Sequence, residues 1–292
     1  MDGVSRRDGT QMAGRESTTS TEGELSVRQW AGTAPTVLFL HGLGSTGRHA
    51  SPLADALPHA RVIAPDLRGR GGSSELRGPS GLGAHADDLV AVADVLGLDD
   101  FVLVGHSMGA YLAPVLAERL AGRVSSMVLL DGGLPPKLPR LLARKSLVRW
   151  KFRKDAQKGL GPWQDVDAFV AASMAPGLTA RPDLLPVVTE WVRDDLVGEP
   201  GRLIPRGDVD RMIDDAVDSF FGDATVRALD HLSVTTRLLA AAHGATDRDP
   251  PLLADEVLRS WQQRIPALTT ERVQANHLTL LFAPEVVHAI AG

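Results

Sequence analysis

The stretch FVLVGHSMGAY, residues 101–111, decides how the rest of the chain is read. Four apolar residues, Phe101 to Val104, run straight into Gly105-His106-Ser107-Met108-Gly109. The apolar run reads as a buried strand and residues 111–120 as a helix. A serine fenced by two glycines between strand and helix matches G-x-S-x-G in the context that motif demands. The turn is so tight that side chains two residues either side of the serine would collide, so Gly105 and Gly109 are required there. The serine oxygen is then held clear of the sheet, in front of the free N–H groups of a helix starting near Met108. These features point to Ser107 as a nucleophile.

Working outward, short apolar runs alternate with helical patterns. Residues 36–42, 60–66, 99–106 and 125–133 read as strands, and residues 84–96 and 111–120 as helices between them. This order, with continuously apolar strands, implies a parallel sheet covered on both faces. Residues 26–32 read as an antiparallel strand at its edge. Three prolines within GLPPKLPR, residues 133–140, end the alternation. Residues 134–230 read as helices and loops without a strand. Residues 235–244 resume the strand pattern, residues 249–265 read as a helix capped by Asp249, and a last strand (267–275) and helix (283–291) follow. The expected organisation is a mobile polar tail over residues 1–23, a core over 24–134 and 231–292, and a helical insertion over 135–230.

Bulk properties narrow the function. The 292 residues carry a net charge of −5, which argues against a general nucleic-acid footprint. The absence of cysteine excludes disulfides, thiolate metal sites and cysteine nucleophiles. No apolar run reaches the length of a membrane span, and the N-terminus lacks the apolar region of a secretion signal, so a cytoplasmic location is the default expectation. Composition leaves the oligomeric state open.

A serine hydroxyl needs a base, and the base needs an orienting carboxylate. His277 follows the last strand and precedes a helix, which places it on the same sheet edge as Ser107. For the acid, Asp247 follows the strand at 235–244 and has no evident structural task; Asp249 and Asp131, the latter at the end of the fourth strand read here, are the alternatives. The backbone N–H groups of Leu43, in the loop FLHGLGSTG (39–47), and of Met108 are the expected oxyanion donors. His41, His106, Phe169, Val170 and Met174 are candidate pocket residues. No metal or organic cofactor is required, and a small-molecule substrate is the expected partner. Residues 137–158 hold nine Lys/Arg and one acid, whereas acids outnumber bases over residues 183–230. Mutual pairing of these two halves, or simple solvation, is preferred to an anionic partner.

HGLGSTG, DLRGRGGSS (66–74), GHSMG and Asn276-His277, in this order and approximate spacing, resemble the α/β-hydrolase superfamily over about residues 25–134 and 231–292. The resemblance implies an α/β fold with a mostly parallel eight-stranded sheet, helices on both faces, a nucleophile elbow at Ser107 and a helical cap inserted after the sixth strand, here residues 125–131. Haloalkane dehalogenases and epoxide hydrolases are similar but carry Asp at the nucleophile position. The acid region departs from the superfamily pattern, although Gly244 and Asp247 keep the spacing. Three functions are compatible with these residues. One is a serine hydrolase of an ester, lactone or thioester of a small apolar acyl group. Another is cofactor-free C–C hydrolysis, perhydrolysis or cyclisation with the same triad. The third is ligand binding without turnover.

Overall fold

The computed structural model describes residues 15, 17–135, 146, 149–150, 152–154, 159–193 and 195–292. Its main sheet is built from β1 (Thr18–Glu22), β2 (Leu25–Trp30), β3 (Thr36–Leu40), β4 (Arg61–Pro65), β5 (Phe101–His106) and β6 (Val124–Leu130). A ribbon of β7 (Leu196–Val197) and β8 (Ile204–Pro205) lies apart, and β9 (Thr236–Ala241) and β10 (Leu268–Val273) complete the sheet. The strand order is β1-β2-β4-β3-β5-β6-β9-β10, antiparallel at β1/β2 and β2/β4 and parallel elsewhere. This is the eight-stranded, mostly parallel α/β architecture that the sequence motifs imply.

All six residues of β5 are buried. Its side chains alternate between the two faces: Phe101 and Leu103 enter one apolar cluster with Leu89 and Leu112, and Val102 and Val104 enter another with Val128 and Trp191. A strand covered on both faces has no polar side, which is why its sequence is a continuous apolar run. The covering helices are α1 (Ser51–Ala56), α2 (Leu82–Val95), α3 (Met108–Arg119), then α4 (Val166–Ser173), α5 (Leu185–Arg193), α6 (Val209–Phe221) and α7 (Ala224–Asp230) in the insertion, and α8 (Asp255–Arg264) and α9 (Pro284–Ala291) after it.

Three expectations need correction. Residues 18–22, expected within a mobile tail, form β1 and pair residue for residue with β2. An exposed edge strand needs no apolar alternation, and threonine-rich TTSTE supplies the β-branched side chains such a strand favours. β2 is therefore an interior strand. The insertion contains the β7–β8 ribbon, whose two-residue strands are too short to leave a periodic signal. Helix α8 begins at Asp255, not Asp249, because the Asp249 carboxylate is engaged in a turn with the amide and hydroxyl of Thr246, 2.8 Å away in each case.

The insertion seats on the core through Trp191. Its ring lies between His49 (centroids 4.2 Å apart) and Phe282 (5.4 Å), and its Nε1 donates to Ser51 Oγ at 2.9 Å. Most of the basic stretch 137–158 lies outside the described residues. Two of its described members pair with the acidic half, Arg149 with Asp214 and Arg153 with Asp210. Among the described residues, no helix is long and apolar enough to cross a membrane.

Candidate active site

At the end of β5 the chain turns through Ser107, whose backbone angles are φ 55° and ψ −116°. A non-glycine residue in this region costs about 1–3 kcal/mol, sustained by the surrounding structure. The Ser107 amide donates to Leu130 O at 2.9 Å, and α3 begins at the next residue. A Cβ on Gly105 would overlap the Gly109 carbonyl, and one on Gly109 would overlap the Leu40 carbonyl. Both glycines are thus compelled by close backbone approach, as the motif requires.

His277 lies in the loop after β10. Its Nδ1 donates to Asp131 Oδ2 at 2.6 Å, which leaves Nε2 as the lone-pair nitrogen. Its ring packs at a 33° tilt against that of His106, the residue before Ser107, with centroids 4.7 Å apart. The imidazole and the elbow therefore share one corner of the sheet. Asp131 is only 2 % exposed, and its Oδ1 accepts the Ala241 amide at 3.1 Å.

The expected pairing of His277 with Asp247 does not occur. Asp247 Oδ1 instead accepts a hydrogen bond from Asn276 Nδ2 at 2.7 Å. Asn276 is fully buried, donates also to Gly177 O and accepts from the amides of Leu278 and Thr279, so it holds the loop that carries His277. Asp249 is excluded by its turn with Thr246. The geometry thus selects Asp131, directly after β6, the strand adjacent to the elbow strand, as the partner of His277. A sequence signal for it existed in Leu130-Asp131-Gly132-Gly133. A Cβ on Gly132 would overlap the Ser107 carbonyl, so this strand end is shaped to fit beneath the elbow.

The loop after β3 faces the same point. A Cβ built on Gly42 would lie 3.2 Å from Ser107 Cβ. The Gly42 carbonyl accepts from His41 Nδ1 at 2.8 Å and from the Ser45 amide at 3.3 Å. In a trans peptide the C=O and the following N–H point oppositely, so these bonds fix the direction of the Leu43 N–H. Met108 is the first residue of α3, where an amide has no intrahelical acceptor. These are the two amides that the sequence names as candidate oxyanion donors.

The candidate pocket histidines have backbone tasks. His41 is fully buried, donates from Nδ1 to Gly42 O and accepts the Leu67 amide at Nε2, 3.0 Å away. Burial, opposed by the bond to Gly42, holds its pKa well below the usual histidine value, so it stays neutral. His106 donates from Nε2 to the His277 carbonyl at 3.0 Å and is likewise kept neutral, chiefly by burial and then by its neighbour His277. In the insertion Val170 is buried, Phe169 meets Trp163 edge-on at 5.5 Å, and Met174 packs against the cluster that contains Trp191. Among the described residues, no group of three or more histidine or carboxylate side chains is placed to hold a metal ion.

Comparisons with known proteins agree with this architecture. A family model described as alpha/beta hydrolase fold matches residues 35–161. Lipase LipV of Mycobacterium tuberculosis is 33% identical over 168 residues, 55% of this chain and 64% of that protein. Epoxide hydrolase 2 of Siraitia grosvenorii is 40% identical over 105 residues, 34% of this chain and 33% of that protein. The chain therefore spans between a third and just under two thirds of the length of these relatives. Among solved structures, E-2-(acetamidomethylene)succinate hydrolase superposes with a TM-score of 0.74 at 20% identity, covering 95% of this chain and 99% of that one. Sheet order, elbow and family match together define the class of fold: the chain has the α/β-hydrolase architecture, and its residues 35–161 match the model of that family.

Proposed function

We propose that the protein is a serine hydrolase that cleaves an ester, lactone or thioester of a small apolar substrate through an acyl-enzyme. The observation that carries this reading is the 2.6 Å bond from His277 Nδ1 to Asp131, with the His277 ring packed against His106 beside the strained Ser107 turn. In the proposed reaction, Ser107 Oγ attacks the carbonyl carbon while His277 Nε2 takes the hydroxyl proton. The new negative charge on the substrate oxygen is held by the amides of Leu43 and Met108. His277 then returns the proton to the departing alkoxide or thiolate. A water molecule, deprotonated by the same nitrogen, attacks the acyl-enzyme and releases the acid. Asp131 keeps the imidazole in the Nδ1–H tautomer and stabilises the imidazolium that forms. The helical insertion is proposed to act as the cap that selects the acyl group.

The relatives named above are a lipase and an epoxide hydrolase. A serine at the elbow supports the lipase-like chemistry, since carboxylate is the nucleophile expected of the epoxide-opening relatives. Steady-state hydrolysis of p-nitrophenyl acetate and butyrate tests the proposal. Turnover by the wild type, lowered by about three or more orders of magnitude in Ser107→Ala, is expected. Absence of ester turnover with cleavage of a β-diketone would move the assignment to C–C hydrolysis, and absence of both would favour a binding role.

A further inference from the structure

Arg70 lies in the DLRGRGGSS segment but plays no part in the reaction as proposed. It is 2 % exposed. Its Nε donates to the Leu43 carbonyl at 3.2 Å, its Nη1 to the Arg68 carbonyl at 2.8 Å, and its Nη2 approaches Met108 Sδ at 3.9 Å. One guanidinium therefore touches both residues whose amides form the proposed oxyanion site. The same Nη2 is paired at 2.6 Å with Asp215 Oδ2, and Asp215 belongs to α6 of the insertion.

Asp215 is fully buried, and both of its carboxylate oxygens are engaged. Oδ1 accepts the Gly81 amide at 2.5 Å, and Oδ2 accepts His85 Nε2 at 2.9 Å as well as Arg70. Three residues on, Asp218 accepts the Leu82 amide at 2.8 Å, so α6 sets two carboxylates on the N-terminal end of α2, where negative charge is favoured. A buried guanidinium is costly unless paired and fully hydrogen-bonded. The core supplies carbonyls for Arg70, but the counter-charge in contact with it comes from the insertion.

Resting on the reading of Leu43 and Met108 as oxyanion donors, we infer that Arg70 is a positioning residue that couples the docking of α6 to the shape of the oxyanion loop. Asp215 holds the guanidinium, and the guanidinium holds the Leu43–Gly44 peptide and the Met108 side chain. The planar fork makes these contacts simultaneously, which a lysine ammonium cannot reproduce.

Hydrogen–deuterium exchange read by mass spectrometry on the full-length protein tests this without requiring turnover. Arg70→Met and Asp215→Asn are compared with Asp214→Asn, which alters the same helix but removes contacts to Ser80 and Arg149 only. Exchange over residues 41–47 is expected to rise about fivefold or more in the first two and to stay at the wild-type rate in the third. In ester turnover, kcat is expected to fall about tenfold or more in the first two with KM within about threefold, the signature of lost transition-state stabilisation. Should Arg70→Met fail to fold, Asp215→Asn, which keeps the side-chain shape, decides alone. Unchanged exchange over 41–47 in folded Asp215→Asn, or an equal rise in Asp214→Asn, overturns the coupling. A wild type without hydrolytic activity would instead refute the proposed function, and the exchange rates would still decide whether Arg70 couples α6 to the loop.

Discussion

Two buried neutral histidines, His41 and His106, together with His277 and Asp131, set the environment of Ser107. His106 supports His277 by a tilted ring contact and by the bond to its carbonyl. His106→Phe keeps a flat ring but loses that bond, and kcat/KM is expected to fall about tenfold, measured by ester hydrolysis at saturating and limiting substrate. That the Ser107 turn and His277 meet at one corner of the sheet was legible in the sequence, because each stands at an element boundary with a distinctive neighbour, glycine in one case and Asn276 in the other. Which carboxylate His277 meets was not. Asp247 and Asp131 both follow strands on the correct edge, and only the lateral order of the strands tells which one reaches His277. That order places β6 between the elbow strand and β9, so Asp131 faces the imidazole while Asp247 meets Asn276.

At the scale of elements, the elbow is a packing problem solved by missing side chains. A Cβ at Gly109 would meet the carbonyls of Leu40 and His41, which are backbone atoms and cannot swing away. Gly109→Ala is therefore expected to destabilise the fold by about 2–4 kcal/mol, measured by urea unfolding. The seat of the insertion makes a similar claim. Trp191→Ala removes a ring held between His49 and Phe282 and should cost about 3–5 kcal/mol by the same assay. The buried parallel strands were legible as apolar runs. β1 was not, because its polar residues pair through the backbone. The start of α8 was misplaced toward Asp249 because Asp249-Pro250 imitates a helix start while its carboxylate serves a turn.

Over the whole molecule, ionisable groups bridge insertion and core. Asp195, between α5 and β7, has its carboxyl pushed up to about 7 by burial and then by the charge of Asp66, itself raised by burial at the end of β4. A carboxyl with a raised folded-state pKa binds its proton more tightly folded than unfolded, so stability falls as pH rises from about 4 to 7. Asp195→Asn should remove that slope. The variant is expected to match the wild type near pH 4 and to exceed it by on the order of 4 kcal/mol at pH 8, read from urea midpoints at the two pH values. Asp215 has the opposite sign. Burial works to raise its pKa, but the bond from His85 and the Arg70 charge outweigh it and hold the carboxyl at about 2. Its contribution is present above about pH 4 and is lost only as pH falls through 2. The ion pairing that joins the insertion to the core therefore persists at neutral pH.

The arrangement of Ser107, His277 and Asp131 is tested most directly by covalent labelling with a fluorophosphonate, followed by peptide mapping. The wild type should carry the label on Ser107, Asp131→Asn should label at least about a hundredfold more slowly, and Asp247→Asn should stay within about fivefold of the wild type. Label on another residue, or a slow Asp247→Asn beside a fast Asp131→Asn, would contradict the account.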